Sequence, residues 1–233
     1  MISSSCQIIN INNLEIKNSL FGSGIKGFQF NQGSVNIENI QFRQFTTCIE
    51  INQNVYLARI ENCTFSDCYC QNENVNLNQV VLISNKQCIF TNNTIAFKLN
   101  TQSISGLCVN SHGNIEITYN QFINISKSYN LMAGIQINET HCDEESGTVL
   151  FNYNLIKNVF PSNSQFTVLY ITKKHLFNID HNIIQDCKKS YLSQIDISSN
   201  NEFGHELILS NLSLINCESN SKTGGEFDHW IQF

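Results

Sequence analysis

The sequence predicts an all-β protein built from a short repeat that stacks on itself. Three observations support this prediction: a recurring apolar pattern, an asparagine near the centre of each copy of that pattern, and the scarcity of proline. The chain has 233 residues with 35 Asn, 10 Cys and a single proline, Pro161. Few prolines and many Ile, Val and Phe favour strands, whereas Asn favours turns. No stretch has the apolar periodicity of an amphipathic helix.

The apolar pattern occurs in eight copies. They are INNLEIKNS (11–19), VNIENIQFRQF (35–45), ARIENCTFSDC (58–68), CIFTNNTIAFK (88–98), IEITYNQFINI (115–125), VLFNYNLIKNV (149–159), FNIDHNIIQDC (177–187) and LILSNLSLINC (207–217). Self-similarity at such spacing is the signature of a repeat architecture.

Three columns of the aligned copies are apolar throughout. The first is Ile9, Val35, Ala58, Cys88, Ile115, Val149, Phe177 and Leu207; the second is Ile11, Ile37, Ile60, Phe90, Ile117, Phe151, Ile179 and Leu209; the third is Ile16, Phe42, Phe65, Ile95, Phe122, Ile156, Ile184 and Leu214. The column between the first two is mostly polar. This alternation indicates strands with one buried face.

An asparagine interrupts each copy between the second and third columns. Four copies have it first, as in Asn39-Ile40, three have it one place later, as in Tyr119-Asn120, and Asn92-Asn93 has both. Asn tolerates left-handed backbone and can bend a strand between two short runs. Amides stacked in consecutive copies can also bond to one another. The later position therefore predicts an internal amide ladder of Asn93, Asn120, Asn154 and Asn182.

A further short strand lies after each copy. It appears as FQF (28–30), IEI (49–51), VLI (81–83), LCV (107–109), IQI (135–137), LYI (169–171), IDI (195–197) and IQF (231–233). Each repeat therefore carries three short strands joined by corners.

Three strands per turn, parallel stacking and a corner asparagine resemble the right-handed parallel β-helix of the pectin-lyase-like superfamily. The resemblance covers essentially the whole chain and implies one β-helix domain over residues 1–233, a solenoid of about eight coils with three short strands per coil. At about 4.8 Å per coil, such a rod is roughly 40 Å long. A β-sandwich also has regular short strands, but it does not explain columns in register over eight copies.

The functional alternative that this resemblance implies is a carbohydrate-active enzyme, either a polysaccharide lyase or a glycoside hydrolase. The hydrolases share an Asn-Thr-Asp, paired Asp, Gly-His-Gly and Arg-Ile-Lys series. This chain has Ser111-His112-Gly113 and Arg59-Ile60-Glu61 in the wrong order, without the paired Asp and with a glutamate replacing the lysine. The lyases use clustered calcium-binding acids with an arginine, and here the aspartates are scattered along the chain. No catalytic residue is therefore assigned.

Two long turns contain residues of the types that bind metals. Histidine with carboxylates can bind a divalent metal, and the weak candidates are His141, Asp143, Glu145, His205 and Glu206. Solvated charged loops have the same composition, so the sequence predicts neither a metal nor a cofactor.

The sequence favours a non-enzymatic scaffold of a surface-exposed or secreted protein, presenting loops for adhesion or glycan binding. It resembles repeat-built β-helix regions of microbial and protist surface proteins. The longest variable loops contain residues 68–79 and 217–230, and loops on a rigid scaffold commonly bind ligands. Possible sugar-stacking aromatics are Tyr69, Tyr129, Phe166 and Tyr191. An extracellular or cell-surface location rests on the resemblance alone, because the first residues lack the pattern of a signal peptide.

Charge and hydropathy argue against two other classes of function. The net charge is −6, so the chain lacks the basic stripe of a nucleic-acid-binding surface. It also lacks an apolar run long enough to span a membrane.

The cysteines fit a packed interior. Cys68, Cys187 and Cys217 share one column, and the last two are within disulfide range on adjacent coils. Cysteine is also a small apolar residue, and the sequence favours buried thiols over disulfides.

Stacked coils expose unpaired backbone groups at each end, and such edges invite pairing with other chains. We expect the chain to be a segment of a longer protein and the isolated segment to self-associate end to end. Sedimentation at several concentrations checks this expectation through a mass that rises with concentration. A strictly monomeric species throughout would contradict it.

Overall fold

The computed structural model describes residues 8–17, 26–45, 47–68, 79–85, 87–97, 105–111, 113–127, 133–138, 147–161, 167–172, 176–190, 195–198 and 207–219. All regular structure in these ranges is β-strand, as the sequence predicts. The strands are β1 Ile8–Lys17, β2 Lys26–Phe30, β3 Gly33–Arg43, β4 Thr47–Ile51, β5 Val55–Glu61, β6 Thr64–Ser66, β7 Gln79–Asn85, β8 Gln87–Thr91, β9 Thr94–Ala96, β10 Ser105–Ser111, β11 Ile115–Thr118, β12 Gln121–Ile123, β13 Ser126–Lys127, β14 Ala133–Asn138, β15 Val149–Asn152, β16 Leu155–Lys157, β17 Phe160–Pro161, β18 Thr167–Thr172, β19 Phe177–Asp180, β20 Ile183–Gln185, β21 Lys188–Ser190, β22 Ile195–Ser198, β23 Leu207–Ser210, β24 Ser213–Ile215 and β25 Glu218–Ser219.

Strands of neighbouring copies pair in parallel to form large sheets. A 14-stranded sheet has the order β23-β19-β15-β11-β8-β5-β3-β6-β9-β12-β16-β20-β24, with β1 also paired to β3. The long strands β1 and β3 continue through the bend that divides later copies into two strands. β3 therefore joins a first arm of this sheet, β5-β8-β11-β15-β19-β23, to a second arm, β6-β9-β12-β16-β20-β24. A second sheet of seven strands has the order β2-β4-β7-β10-β14-β18-β22.

The strand register confirms the apolar columns. In the first arm Ile60 pairs with Phe90, which occupies the same column one copy later, and Ile117 pairs with Phe151. In the second arm Phe65 pairs with Ile95. In the seven-stranded sheet Phe28, Ile49 and Val81 follow one another, as the sequence predicts. Strand 231–233 lies outside the described residues.

Side chains of the three strand positions form one buried core. Every second-column residue from Ile37 to Ile179 is fully buried. Phe42, Phe65, Phe90 and Phe122 stack in sequence, with ring centroids 5.1, 6.3 and 6.5 Å apart. Fully burying side chains of this size stabilises a fold by about 1.5–3 kcal/mol each, so the columns supply most of the driving force for stacking.

The bend between the two arms, here called the first corner, contains a left-handed residue in every copy. One residue takes a positive φ of 49–59°, and these residues are Asn13, Asn39, Asn62, Asn92, Tyr119, Tyr153, His181 and Asn211. The interpretation of this corner as an asparagine is therefore wrong in three copies. There Tyr119, Tyr153 or His181 takes the left-handed conformation, and the asparagine that follows is buried.

A second corner follows the third column. Positive φ recurs there at Gln44, Asp67, Asn124, Asn158, Asp186 and Asn216. The next residue points into the core in each case, and these residues are Phe45, Cys68, Ile125, Val159, Cys187 and Cys217. The shared column of Cys68, Cys187 and Cys217 is thus confirmed as a buried position.

The connections differ in length at two of the three corners. From β5 onward the first corner contains two residues in every copy, such as 62–63 and 181–182. The connection from the second arm to the seven-stranded sheet ranges from residues 44–46 to residues 67–78. The return from that sheet to the first arm, at a third corner, varies from residue 86 alone to residues 139–148. The number of residues is therefore constant at the first corner and variable at the second and third corners.

Replacing Ile117 by Asp tests the core columns. Ile117 is fully buried, so the variant would place an unpaired charge in an apolar interior, and we expect a loss of roughly 3–5 kcal/mol of unfolding free energy. The matched control is Ile183→Asp, because Ile183 lies on a strand of the same sheet but is 41% exposed. Denaturant unfolding gives both values, and equal midpoints for the two variants would show that the column does not form the core.

Candidate functional site

The residues predicted from sequence to bind ligands lie outside the described residues. This holds for the metal candidates His141, Asp143, Glu145, His205 and Glu206, and for the aromatic candidates Tyr69, Tyr129, Phe166 and Tyr191. The structure thus describes the strands on either side of these residues. It also describes surface features that the sequence did not single out.

An open depression lined by amide side chains lies at the third corner that connects β4 to β5. Its lining residues are Asn31, Asn52, Gln53 and Asn54, and its volume is about 500 Å³. The turn is tight, because the backbone N–H of Val55 donates to the carbonyl of Asn52 at 3.0 Å. The Asn52 amide also donates to the side chain of Asn31 in the preceding copy. The depression therefore offers uncharged hydrogen-bonding groups on a hydrogen-bonded turn.

A ladder of buried asparagine amides runs inside the first corner. Its members are Asn93, Asn120, Asn154 and Asn182, each only 1% exposed. The Nδ2 group of each member donates to the Oδ1 atom of the next, with successive distances of 3.2, 3.0 and 3.1 Å. The amide ladder predicted from the sequence is thereby confirmed.

Backbone groups complete the bonding of the ladder. The Nδ2 group of Asn120 also donates to the carbonyl of Phe90 at 2.8 Å, and its Oδ1 atom accepts the backbone N–H of Asn93 at 2.8 Å. Asn154 repeats both contacts one copy later, with the carbonyl of Ile117 and the N–H of Asn120. Since these buried amides are paired, they avoid the penalty of unsatisfied polar groups.

Three rings on the outside of the same corner form a stack. Tyr119 and Tyr153 have ring centroids 4.8 Å apart and planes inclined by 3°. Tyr153 and His181 are also 4.8 Å apart, at 19°. A left-handed backbone is unfavourable for Tyr and His, and stacking between aromatic rings offsets part of that cost.

The stack restricts how these rings can meet a ligand. Tyr119 is 57% exposed and Tyr153 is 45% exposed, yet both faces of the Tyr153 ring are covered by its neighbours. A sugar could lie on the outer face of an end ring, whereas Tyr153 presents its edge and hydroxyl group. The sequence signal for this stack was the aromatic or histidine residue before Asn120, Asn154 and Asn182.

The Asp180 carboxylate is held beside the stack by three side chains. Ser210 Oγ donates to Oδ1 at 2.6 Å, Asn211 Nδ2 donates to Oδ1 at 3.0 Å, and His181 Nδ1 lies 2.6 Å from Oδ2. The hydrogen bonds from Ser210 and Asn211, followed by that from His181, lower the pKa of Asp180 from 3.8 to about 2. The carboxylate is therefore ionised at neutral pH, with its oxygens already engaged by protein groups.

Three of the described cysteines are buried thiols of low reactivity. Burial raises the pKa of Cys63 to about 11 and that of Cys108 and Cys187 to about 12, so these groups are protonated at neutral pH and unreactive. Cys63 occupies the ladder position one copy before Asn93. Its Sγ atom lies 3.2 Å from the carbonyl of Glu61, where a thiol acts as a weak donor.

Within the described ranges, no three His, Cys, Asp or Glu side chains are grouped so that they could hold a metal ion. Nor do those ranges contain a helix with the length and apolarity needed to cross a membrane. Comparison of the sequence with models of known protein families and with curated proteins finds no match.

Replacing Asn120 by Ala tests the ladder. The change removes partners from Asn93, Asn154 and the carbonyl of Phe90, and an unsatisfied buried group costs about 1–3 kcal/mol. We therefore expect a loss of several kcal/mol of unfolding free energy. Gln121→Ala is the control, since Gln121 is the exposed neighbour. If both variants unfold at the same denaturant concentration, the ladder does not stabilise the stack.

The lowered pKa of Asp180 predicts an acid-dependent contribution to stability. A carboxyl group with a lower pKa in the folded state stabilises that state above its unfolded pKa. This contribution is lost as the pH falls from 3.8 towards about 2. Asp180→Asn should flatten the pH dependence of unfolding in that window and leave the profile from pH 5 to 7 parallel to that of the parent. Urea unfolding at several pH values measures both profiles, and parallel curves down to pH 2 would contradict the assignment.

Proposed function

We propose that the chain is a right-handed parallel β-helix of about eight coils, as its resemblance to the pectin-lyase-like superfamily implies. Parallel pairing between equivalent strands of successive copies supports this proposal. The hand rests on a general rule, because connections between parallel strands of one sheet are right-handed in about 98% of cases. The coil count comes from the eight sequence copies.

We propose that this frame is a non-enzymatic scaffold of a surface-exposed or secreted protein, presenting loops for adhesion or glycan binding. One observation carries the proposal: connection length is constant at the first corner but varies at the second and third corners. A frame that fixes one corner and varies two others is suited to holding different loops at set positions. Loops on rigid scaffolds are common locations for binding residues.

The amide depression supports a polar, uncharged ligand. Asn31, Gln53 and Asn54 are exposed there, and amide groups can both donate to and accept from sugar hydroxyls. The exposed Tyr119 and the Tyr153 hydroxyl add an aromatic and polar surface at the first corner. Both features fit a glycan better than a charged ligand, because none of the described residues that line the depression has an ionisable side chain.

Binding of the chain to a glycan array tests the proposal. We expect binding that falls at least about tenfold when residues 69–78 and 218–228 are deleted, because the longest loops would provide the contacts. Single alanine variants of Tyr129, Phe166 and Tyr191 then show which aromatic side chain stacks on a sugar. Gln53→Ala with Asn54→Ala tests the depression, and Gln121→Ala is the control. Glycan binding that survives both deletions would contradict presentation by these loops.

The same preparation distinguishes the enzymatic alternative. A polysaccharide lyase or glycoside hydrolase would depolymerise polygalacturonate or a related polymer, whereas a scaffold would bind its glycan without changing the length of the polymer. Product analysis by chromatography after prolonged incubation separates the two functions.

A further inference from the structure

Two buried cysteines from neighbouring repeats face each other in the core. Cys48 lies on β4 in the seven-stranded sheet, and Cys68 follows the second corner of the next copy. Their Sγ atoms are 3.2 Å apart. Cys48 is fully buried and Cys68 is 1% exposed.

The surrounding backbone restricts both thiols. Gly27 on β2 lies opposite Cys48, and a Cβ atom at Gly27 would be 2.4 Å from the Cys48 carbonyl oxygen. The neighbouring strand therefore packs directly against the Cys48 backbone. Asp67, with a φ of 53°, turns the chain so that Cys68 points inward. Both thiols thus lie on closely packed or sharply turned backbone, with their sulfurs in contact.

We propose that Cys48 and Cys68 form an intrachain disulfide when the protein folds in an oxidising environment. A bonded pair of sulfurs is about 2.05 Å apart, so closure needs a shift of about 1 Å that side-chain rotation can supply. The bond would link the seven-stranded sheet to the second corner of the 14-stranded sheet. It would close a loop of residues 49–67 that contains strands β5 and β6, and the variable residues 69–78 would follow directly after it.

The reaction uses a small-molecule disulfide, such as oxidised glutathione, as the oxidant. One cysteine loses its proton and attacks the reagent, giving a mixed disulfide and releasing one reagent thiol. The second cysteine then loses its proton, attacks the mixed disulfide at the first Sγ atom and releases the other reagent thiol. Two electrons pass from the cysteine pair to the reagent, and the two cysteine protons end on its sulfurs.

The bond would form before the core closes. Burial raises the pKa of the Cys48 thiol well above its usual range, and the attacking species in exchange is the thiolate. In the folded, reduced protein the Cys48 thiol is therefore shielded from ionisation, and burial shields both thiols from contact with the reagent. An open folding intermediate would have neither protection, and a bond formed there would afterwards be resistant to reduction.

Peptide mapping of the full chain tests the proposal. The chain is produced through an oxidising secretory compartment, unfolded in the presence of an alkylating reagent and digested without reductant. We expect a cross-linked peptide containing Cys48 and Cys68, with a mass lower by two hydrogen atoms than the sum of the reduced peptides. Cytosolic production should give the same two cysteines in alkylated form.

Stability provides the second measurement. The Tm of the secreted protein should fall by roughly 5–10 °C once the bond has been reduced in denaturant and the protein refolded with reductant present, because the closed loop restricts the unfolded chain. Cys48→Ala should abolish this difference, whereas Cys88→Ala, at a position buried to the same degree, should retain it. Alkylation of both Cys48 and Cys68 in the secreted protein, or a bond from either one to another cysteine, would overturn the proposal.

Discussion

The buried amide ladder is the constraint on which the rest of the structure depends. An amide such as Asn120 is satisfied only when the copies before and after it supply partners at the same height. A shift of one residue in either neighbour would leave polar groups unpaired in the core, at a cost that no nearby contact offsets. The ladder therefore fixes the length of the first corner in the four copies that carry it. In those copies it sets the register of both arms of the large sheet.

The apolar columns supply most of the stability, and the polar corner positions specify the register of the strands. Ile, Val and Phe exchange freely within a column, since parallel strands place each side chain above its equivalent and the stack adapts to differences in size. The ladder position is more selective and accepts an amide, the thiol of Cys63 or a fully apolar residue such as Ile40. Cysteine is suited to this position because it is small and its S–H group can still donate weakly to a carbonyl.

The periodicity of the sequence predicts the features that depend on pairing between equivalent residues of successive copies. The strands, the columns and the ladder follow from alternation and from Asn recurring at one position. The left-handed backbone of Tyr119 could not be predicted in this way, because stacking on Tyr153 overrides the usual preference for Asn in a left-handed conformation. The second corner was missed because residues as different as Gln44 and Asp67 occupy it.

The candidate sites were less predictable than the fold. Loop residues such as Tyr69 and His141 belong to segments of variable length, where periodicity gives no information on position. The amide depression depends on two turns in neighbouring copies meeting, and Asn31 and Asn52 are far apart in the sequence. The approach of Cys48 to Cys68 joins different strand positions of successive copies, and no single column of the alignment contains both.

The ladder amides all point the same way. From Asn93 to Asn154 one N–H of each amide is directed towards the following copy, and from Asn120 to Asn182 each amide oxygen is directed towards the preceding one, so their dipoles add as peptide dipoles do in a helix. The stack consequently has a positive pole and a negative pole. A further repeat stacked on either end would continue the ladder only if it presented its own amide in this same orientation.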